Sequence, residues 1–166
     1  MKNQEFSVSP ALSALAPLKG DWIVEITWSA ETHRLVGGPP TVRGSGTFDW
    51  TCSGGFLVHS TGGDGAPRAY WTIGRDDTSA LFKALYADDR GVSRIYEMSF
   101  SDDVWNLWRD ATGFHQRFEG HLSSDQQIVE ARWEKSSDGV VWEKDFDIVY
   151  LKCGRAEGSF KPDGSL

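Results

Sequence analysis

Residues 88–110, DDRGVSRIYEMSFSDDVWNLWRD, decide the fold of this chain. Two aspartate pairs, Asp88-Asp89 and Asp102-Asp103, enclose a run of aromatic, β-branched and polar residues at 92–101. Acidic pairs favour tight turns, and alternating apolar and polar residues between turns are typical of a β-strand. The stretch therefore predicts a long strand that is followed, after a hairpin turn, by a second strand.

The same turn signal returns along the chain with a nearly constant spacing. Apart from the two aspartate pairs, it stands at Gly62-Gly63, Asp76-Asp77, 111–113, Ser124-Asp125 and Asp138-Gly139. The segments between predict strands near 21–30, 41–51, 55–61, 67–75, 79–87, 92–101, 104–109, 113–122, 127–136 and 140–152. A meander of this length must protect its two edge strands, and closing into a barrel does so. The sequence thus predicts an all-β protein, an antiparallel up-and-down β-barrel of about ten strands.

A short helix is predicted before the first strand. Ser9 is a suitable N-cap, Pro10 fits the first helical position, and leucines three residues apart follow. A helix this short needs a packing partner, so we expect it to cap one end of the barrel. The barrel domain is predicted to span 9–153, and a flexible C-terminal tail is predicted at 154–166.

The composition narrows the range of partners. The 166 residues include 24 acidic and 17 basic side chains, which gives a net charge of −7. An acidic surface without a basic cluster repels phosphate groups, so neither nucleic acid nor a membrane is an expected partner. The chain has no apolar run of membrane-spanning length and no secretory signal, which predicts a cytoplasmic location. Cys52 and Cys153 lack zinc-site spacing and are expected as reduced thiols, and no metal or other cofactor is predicted.

Alternation within the strands assigns side chains to the barrel interior. At 113–122 and 127–136 one face is almost wholly polar, so the opposite face is expected to point inward. A barrel of about ten strands is too wide for side chains to fill, so we expect a cavity with aromatic walls and a few polar groups. The candidate wall residues are Trp28, Tyr86, Trp108 and Trp133, with Met98 as flexible filler. The candidate polar contacts are Arg94, Tyr96 and Gln116, with Arg75 and Arg109 at strand ends.

Two stretches of sequence resemble a known superfamily. Leu18-Lys19-Gly20-Asp21-Trp22, at the start of the first strand, resembles the Gly-x-Trp opening of lipocalins and their calycin relatives, in which the Trp plugs the closed barrel end. Over about residues 12–152 the chain resembles a bacterial family of uncharacterised lipocalin-like proteins. The segments that carry this second resemblance are 73–77, 89–98, 105–109, 114–118 and 133–147. The resemblance implies a calycin-type barrel, and it implies no catalytic residues.

Arg94 and Tyr96 are the most distinctive polar pair. They lie two residues apart on one predicted strand and therefore share a face. Fatty-acid-binding barrels hold a ligand carboxylate with a buried Arg and Tyr, so the resemblance implies an anion site here. Alternatively, Arg94 pairs with an interior carboxylate, or the faces are reversed and Arg94 is exposed. If Arg94 and Tyr96 do form an anion site, the protein is predicted to bind a small, mainly apolar or amphipathic molecule with a polar or anionic head.

A second function that this cavity allows is catalysis on a small hydrophobic substrate. Arg94 and Tyr96 would then stabilise developing negative charge, while Glu97 or Asp145 moves a proton. Against this, Asp145 and Asp147 are expected on the solvent face, with the phenylalanine between them turned inward, because exposed carboxylates are far commoner than buried ones. Whether the protein is an enzyme is left open by the sequence.

A third function is haem binding, for which His59 is the inward candidate. The other histidines fall on polar faces or in the predicted loop at 31–40, where they are poorly placed to act as an axial ligand. Separately, apolar residues on both faces at 79–87 and 140–152 are compatible with a homodimer interface on the barrel wall.

Overall fold

The computed structural model describes residues 7–51, 54–63, 66–76 and 78–154. In these residues a 3-10 helix, Pro10–Leu18, and one α-helix, α1 (Ala30–Val36), accompany ten strands. The strands are β1 Gly20–Trp28, β2 Thr41–Trp50, β3 Leu57–Gly63, β4 Ala66–Arg75, β5 Phe82–Asp88, β6 Ser93–Ser101, β7 Val104–Arg109, β8 His115–Leu122, β9 Ile128–Ser136 and β10 Glu143–Lys152. The predictions for Cys52 and for the tail at 155–166 lie outside the described residues.

The strands form a closed antiparallel barrel in chain order. Each strand pairs with the next, and β1 pairs with both β2 and β10, which closes the cylinder. Val24, for example, lies opposite Gly44 on one side and Tyr150 on the other. The predicted all-β up-and-down barrel with a short N-terminal helix is confirmed. Because a slip of one residue would exchange the two faces, this register fixes which side chains enter the interior.

The 3-10 helix closes one end of the barrel. Its buried leucines, Leu12, Leu15 and Leu18, recur every third residue and line up along a helix with three residues per turn. Pro17 lies within the helix and has no N–H to donate, which disfavours an α-helical continuation. Beneath the helix, Trp22 donates its indole Nε1–H to the carbonyl of Leu18 at 2.9 Å and plugs the end.

Helix α1 lies at the opposite end, where the sequence predicted a loop at 31–40. Ser29 caps it by accepting a hydrogen bond from the Thr32 N–H at 3.1 Å, and Gly37, with φ of 70°, ends it. The prediction was wrong because α1 has no apolar stripe: Leu35 is 77% exposed, and Thr32 is its one buried residue. The helix instead follows from its caps and from contacts with the barrel.

Two further features of the described residues bear on partners. None of the helices there is long and apolar enough to cross a lipid bilayer. On the outer face of β5 and β6, Leu85 and Ile95 lie opposite one another and are both more than half exposed, with exposed Tyr70 on the neighbouring β4. The homodimer interface expected at 79–87 stays a prediction.

Candidate ligand-binding cavity

A cavity of about 480 Å³ occupies the barrel interior between α1 and the Trp22 plug. All ten strands contribute to its lining, and Thr32 and Val36 of α1 lie at its mouth. Its volume falls within the range of small-molecule sites, which is roughly 300–1,000 Å³. The cavity therefore has the size for a ligand of modest length.

Aromatic rings form the walls at mid-height. Trp71, Tyr96 and Trp133 contact one another with ring centroids 5.4, 6.3 and 5.5 Å apart. Trp133 also meets Phe118 at 5.1 Å and Phe146 at 6.1 Å. Such rings offer a large apolar surface, so burial against them favours an apolar ligand body.

A polar cluster interrupts these walls. The Tyr96 hydroxyl donates to Gln116 Oε1 at 2.6 Å, and Arg94 Nη1 donates to the same oxygen at 2.9 Å. The Arg94 guanidinium also lies over the Phe114 ring, 4.8 Å from its centroid. The three candidates Arg94, Tyr96 and Gln116 thus meet, although they come from β6 and β8.

The positive charge of Arg94 is not neutralised within this cluster. Among the residues that the structure describes, Arg94 has no carboxylate partner, because its hydrogen-bond acceptor is the neutral Gln116 amide. Arg109 lies on the same face, opposite Gln116. Burial raises the pKa of Tyr96, while the positive charges of Arg94 and Arg109 act in the opposite direction. The cluster therefore joins two positive charges to a neutral phenol, and Asp145, the carboxylate whose charge also raises the pKa of Tyr96, is hydrogen-bonded to Thr32 instead.

A second polar group at the mouth is, by contrast, internally balanced. Tyr86 donates its hydroxyl to Asp88 Oδ2 at 2.6 Å, and Arg90 Nη2 donates to that oxygen at 2.6 Å. Although burial acts against it, the hydrogen bonds from Arg90 and Tyr86 hold the pKa of Asp88 below its usual range. Burial and the same hydrogen bond raise the pKa of Tyr86. Arg90 thus has an ion-pair partner, whereas Arg94 has none among the described residues.

Asp145 corrects one expectation. The ladder between β9 and β10 shifts register between Lys144 and Phe146, and this bulge turns both Asp145 and Phe146 toward the cavity. Asp145 is 8% exposed and accepts a hydrogen bond from Thr32 Oγ1 at 2.7 Å, while Lys135 Nζ lies 3.9 Å from the same carboxylate oxygen. The Asp145 carboxylate is therefore already hydrogen-bonded to the first turn of α1. Asp147 does lie on the outer face, where it pairs with Arg132 and Lys144.

His59 lies inside the barrel, near the closed end. Its ring stacks on Phe48 with centroids 3.8 Å apart, and its Nδ1 is 2.9 Å from the Thr47 carbonyl oxygen. Burial lowers the pKa of His59 to about 4, so the ring is neutral at ordinary pH. Haem iron takes this type of ligand, but Nε2 is fully buried, and the His59 ring is packed against the rings of Phe48 and Tyr150. The residues present do not fit haem.

The predicted site residues divide into two groups. Those that line the cavity are Trp28, Tyr86, Arg94, Tyr96, Gln116 and Trp133, and Arg109 lies beside them at the mouth. Arg75, Met98 and Trp108 lie elsewhere, which corrects their expected place. Arg75 is exposed at the closed end and donates Nε–H to the Ser79 carbonyl at 3.2 Å, and Met98 is fully buried in the core there.

Trp108 lies on the outer face of the barrel. Its neighbours across the ladder are Glu97 and Arg117, both of which make ion pairs on the outside. The sequence of β7 places a tryptophan on each face, and Trp105 is the inward one. Either face therefore looked suitable for the interior, and alternation alone did not choose between them.

Trp71 and Thr32 belong to the site but were not among the sequence candidates. Trp71 shares a face with buried Ile73, so alternation in β4 carried a usable signal for it. Thr32 enters the site through α1, which the sequence did not predict.

Comparisons with known proteins support the fold alone. No family model matches this chain, and no curated protein is similar to it. Among solved structures, the crystal structure of Rv2717c from M. tuberculosis is similar with a TM-score of 0.65 and 16% sequence identity, covering 89% of this chain and 100% of that one. At this identity the likeness supports a common barrel architecture.

Proposed function

We propose that this barrel binds a small, mainly apolar molecule and holds its anionic or polar head at Arg94, Tyr96 and Gln116. The observation that carries the proposal is the unpaired charge of Arg94 on the cavity wall. A partly buried guanidinium is costly unless a counter-charge accompanies it. A ligand carboxylate would supply that charge and accept a bidentate pair of hydrogen bonds.

The shape of the cavity supports the same proposal. The polar cluster lies on the mouth side of the aromatic walls, so a ligand with its head there would place its apolar body against Trp71 and Trp133. Each buried methylene group contributes about 0.8 kcal/mol, so a chain of several carbons supplies most of the affinity. The calycin-type resemblance of the sequence agrees with a carrier of this kind.

The catalytic alternative has less support. Glu97, one of the two residues expected to move a proton, lies on the outer face in an ion pair with Lys83. Asp145, the other, is bonded to Thr32 and faces Lys135. Neither carboxylate is a free base in the cavity.

Arg94→Gln tests the proposal by calorimetric titration with decanoate. Loss of a charged hydrogen bond should weaken decanoate binding about ten- to hundredfold, whereas binding of uncharged decanol should change little. Arg117→Gln is the matched control, because Arg117 lies on the outer face in an ion pair with Glu134. Equal decanoate affinity in the wild type and Arg94→Gln would remove Arg94 from the site. Native mass spectrometry of the purified protein would identify a ligand that is already bound, and an absorption scan would reveal haem.

A further inference from the structure

The polar cluster offers the cavity a free amide donor beside Arg94. Because Arg94 can only donate, the Gln116 atom that it contacts at 2.9 Å is the amide oxygen, and Tyr96 donates to the same oxygen. The amide nitrogen, Nε2, has no partner in the described part of the chain, and it is not among the atoms there that are both unpaired and closed off. Gln116 lines the cavity and is only 4% exposed, so this accessible nitrogen faces the cavity.

A second guanidinium group lies next to this amide. Arg109 pairs with Gln116 in the ladder between β7 and β8, on the inner face, and directly paired residues have Cβ atoms about 5 Å apart. Burial raises the pKa of Tyr96, and the charges of Arg94 and Arg109 both oppose that rise. Neither guanidinium has an ion-pair partner within the residues that the structure describes. Two positive charges without a counter-charge therefore flank the Gln116 amide.

The carboxylates near the cavity are engaged elsewhere. Asp88 pairs with Arg90 at 2.6 Å, Asp145 lies 3.9 Å from Lys135 Nζ, and Asp110 lies 3.4 Å from His115 Nδ1. Asp110 follows Arg109 in the chain, but its side chain is 87% exposed and accompanies His115. A single carboxylate on the ligand would neutralise one of the two guanidinium groups and leave the other uncompensated.

We propose that the head of the ligand is a phosphate monoester, which carries two negative charges, and that Arg109 binds it together with Arg94 and Gln116. This inference rests on the proposed function, and it names the chemical class of that ligand as an alkyl phosphate. The terminal oxygens of a phosphate monoester are strong hydrogen-bond acceptors, so the two guanidinium groups and the amide nitrogen can all donate to the same head. Arginine suits this group because its planar N–H fork matches the spacing of phosphate oxygens.

Calorimetric titration of the wild type with decyl phosphate and decyl sulfate at about pH 8 tests the second charge. The two probes share the alkyl chain and a tetrahedral head, but the phosphate carries about two negative charges at this pH and the sulfate carries one. Decyl phosphate should bind about tenfold more tightly, because its second charge has a partner in the cluster. Inorganic phosphate, which has no alkyl chain, should bind roughly a hundredfold more weakly than decyl phosphate. Equally tight binding of inorganic phosphate would contradict an alkyl phosphate as the ligand.

Arg109→Gln should abolish the preference for decyl phosphate over decyl sulfate. Arg132→Gln is the matched control and should keep the wild-type preference, because it removes the same charge from the outer face, where Arg132 pairs with Asp147. An unchanged preference in Arg109→Gln would remove Arg109 from the site.

The outcomes separate the two proposals. Wild-type protein that binds decanoate, but binds decyl phosphate and decyl sulfate equally, overturns the phosphate head and leaves the carrier function intact. Wild-type protein that binds none of the three overturns the proposed function itself. This comparison of probes uses the wild type alone, so it does not depend on the folding of the Arg109→Gln variant.

Discussion

The burial of His59 should make the stability of the protein depend on pH. Burial lowers its pKa from 6.5 to about 4, so the folded protein keeps this ring neutral where the unfolded chain protonates it. The unfolded state therefore binds more protons as the pH falls through 6.5, and stability declines until the pH reaches about 4. The difference in pKa corresponds to a loss of about 3 kcal/mol in the free energy of unfolding over that pH window. Above the window His59 causes no such loss.

Urea unfolding at several pH values checks this expectation. The free energy of unfolding of the wild type should fall between about pH 7 and pH 4, and His59→Phe should flatten the fall. His121→Phe is the control, because His121 lies exposed beside Glu119 and should leave the profile unchanged. Asp88, whose pKa is lowered, contributes only at more acidic pH. Parallel profiles for the wild type and His59→Phe would show that His59 is not the group responsible.

Residue by residue, alternation was informative where one face of a strand is polar. In β8 the polar face around Arg117 and Glu119 left Gln116 no other place than the interior. In β7 both faces carry tryptophan, and Trp108 was assigned to the wrong one. The hydrogen bonds that join Gln116 to β6 depend on strand register across the barrel, which no local pattern encodes.

Helix α1 is held to the barrel by a buried network at its first turn. Thr32 Oγ1 donates to Asp145 Oδ1 at 2.7 Å and accepts from Lys135 Nζ at 3.1 Å. Thr32→Val keeps the shape and removes both bonds, so the buried Asp145–Lys135 ion pair loses the hydroxyl group that bridges it. We expect a loss of about 1–3 kcal/mol in stability and faster amide hydrogen exchange in Ala30–Val36 than in β6.

Thr41→Val provides the control for this change. Thr41 makes a comparable side-chain bond to Thr27 at 3.2 Å, but both residues are exposed, so the same substitution should have little effect. Mass spectrometry measures the deuterium uptake of both variants. Uptake in α1 that is equal in Thr32→Val and Thr41→Val would contradict the role of the network.

At the level of elements, the strands were predictable and the helix with its anchor was not. Turn residues and alternating polarity are local features of the sequence, so they located every strand to within a few residues. Helix α1 has seven residues and exposes Leu35, so its caps were its only sequence signal. Asp145 enters the interior through a bulge, and a bulge depends on how β9 and β10 align.

The closed barrel explains why a chain of this length encloses a cavity. Ten strands give a cylinder too wide for side chains to fill, so the same turn rhythm that predicts closure also predicts an interior space. Its polarity follows from single residues on the inner face, above all Arg94 and His59. The sequence therefore predicted the existence of the cavity. Its volume and the arrangement of its innermost residues could not be predicted, because both depend on packing across many strands.

Closure itself depends on a close approach of β2 and β3. A Cβ atom at Gly44 would lie 2.4 Å from the Gly62 carbonyl oxygen, a backbone atom that cannot move without shifting β3. In a closed barrel such a shift is resisted by β1 and β4 on either side. Gly44→Ala should therefore cost about 2 kcal/mol and lower the Tm by roughly 4–8 °C. A Cβ at Gly62 meets only the Arg68 side chain, at 3.4 Å, so Gly62→Ala is the matched control. Thermal unfolding followed by circular dichroism compares the two, and equal Tm values would show that the barrel tolerates a wider gap between these strands.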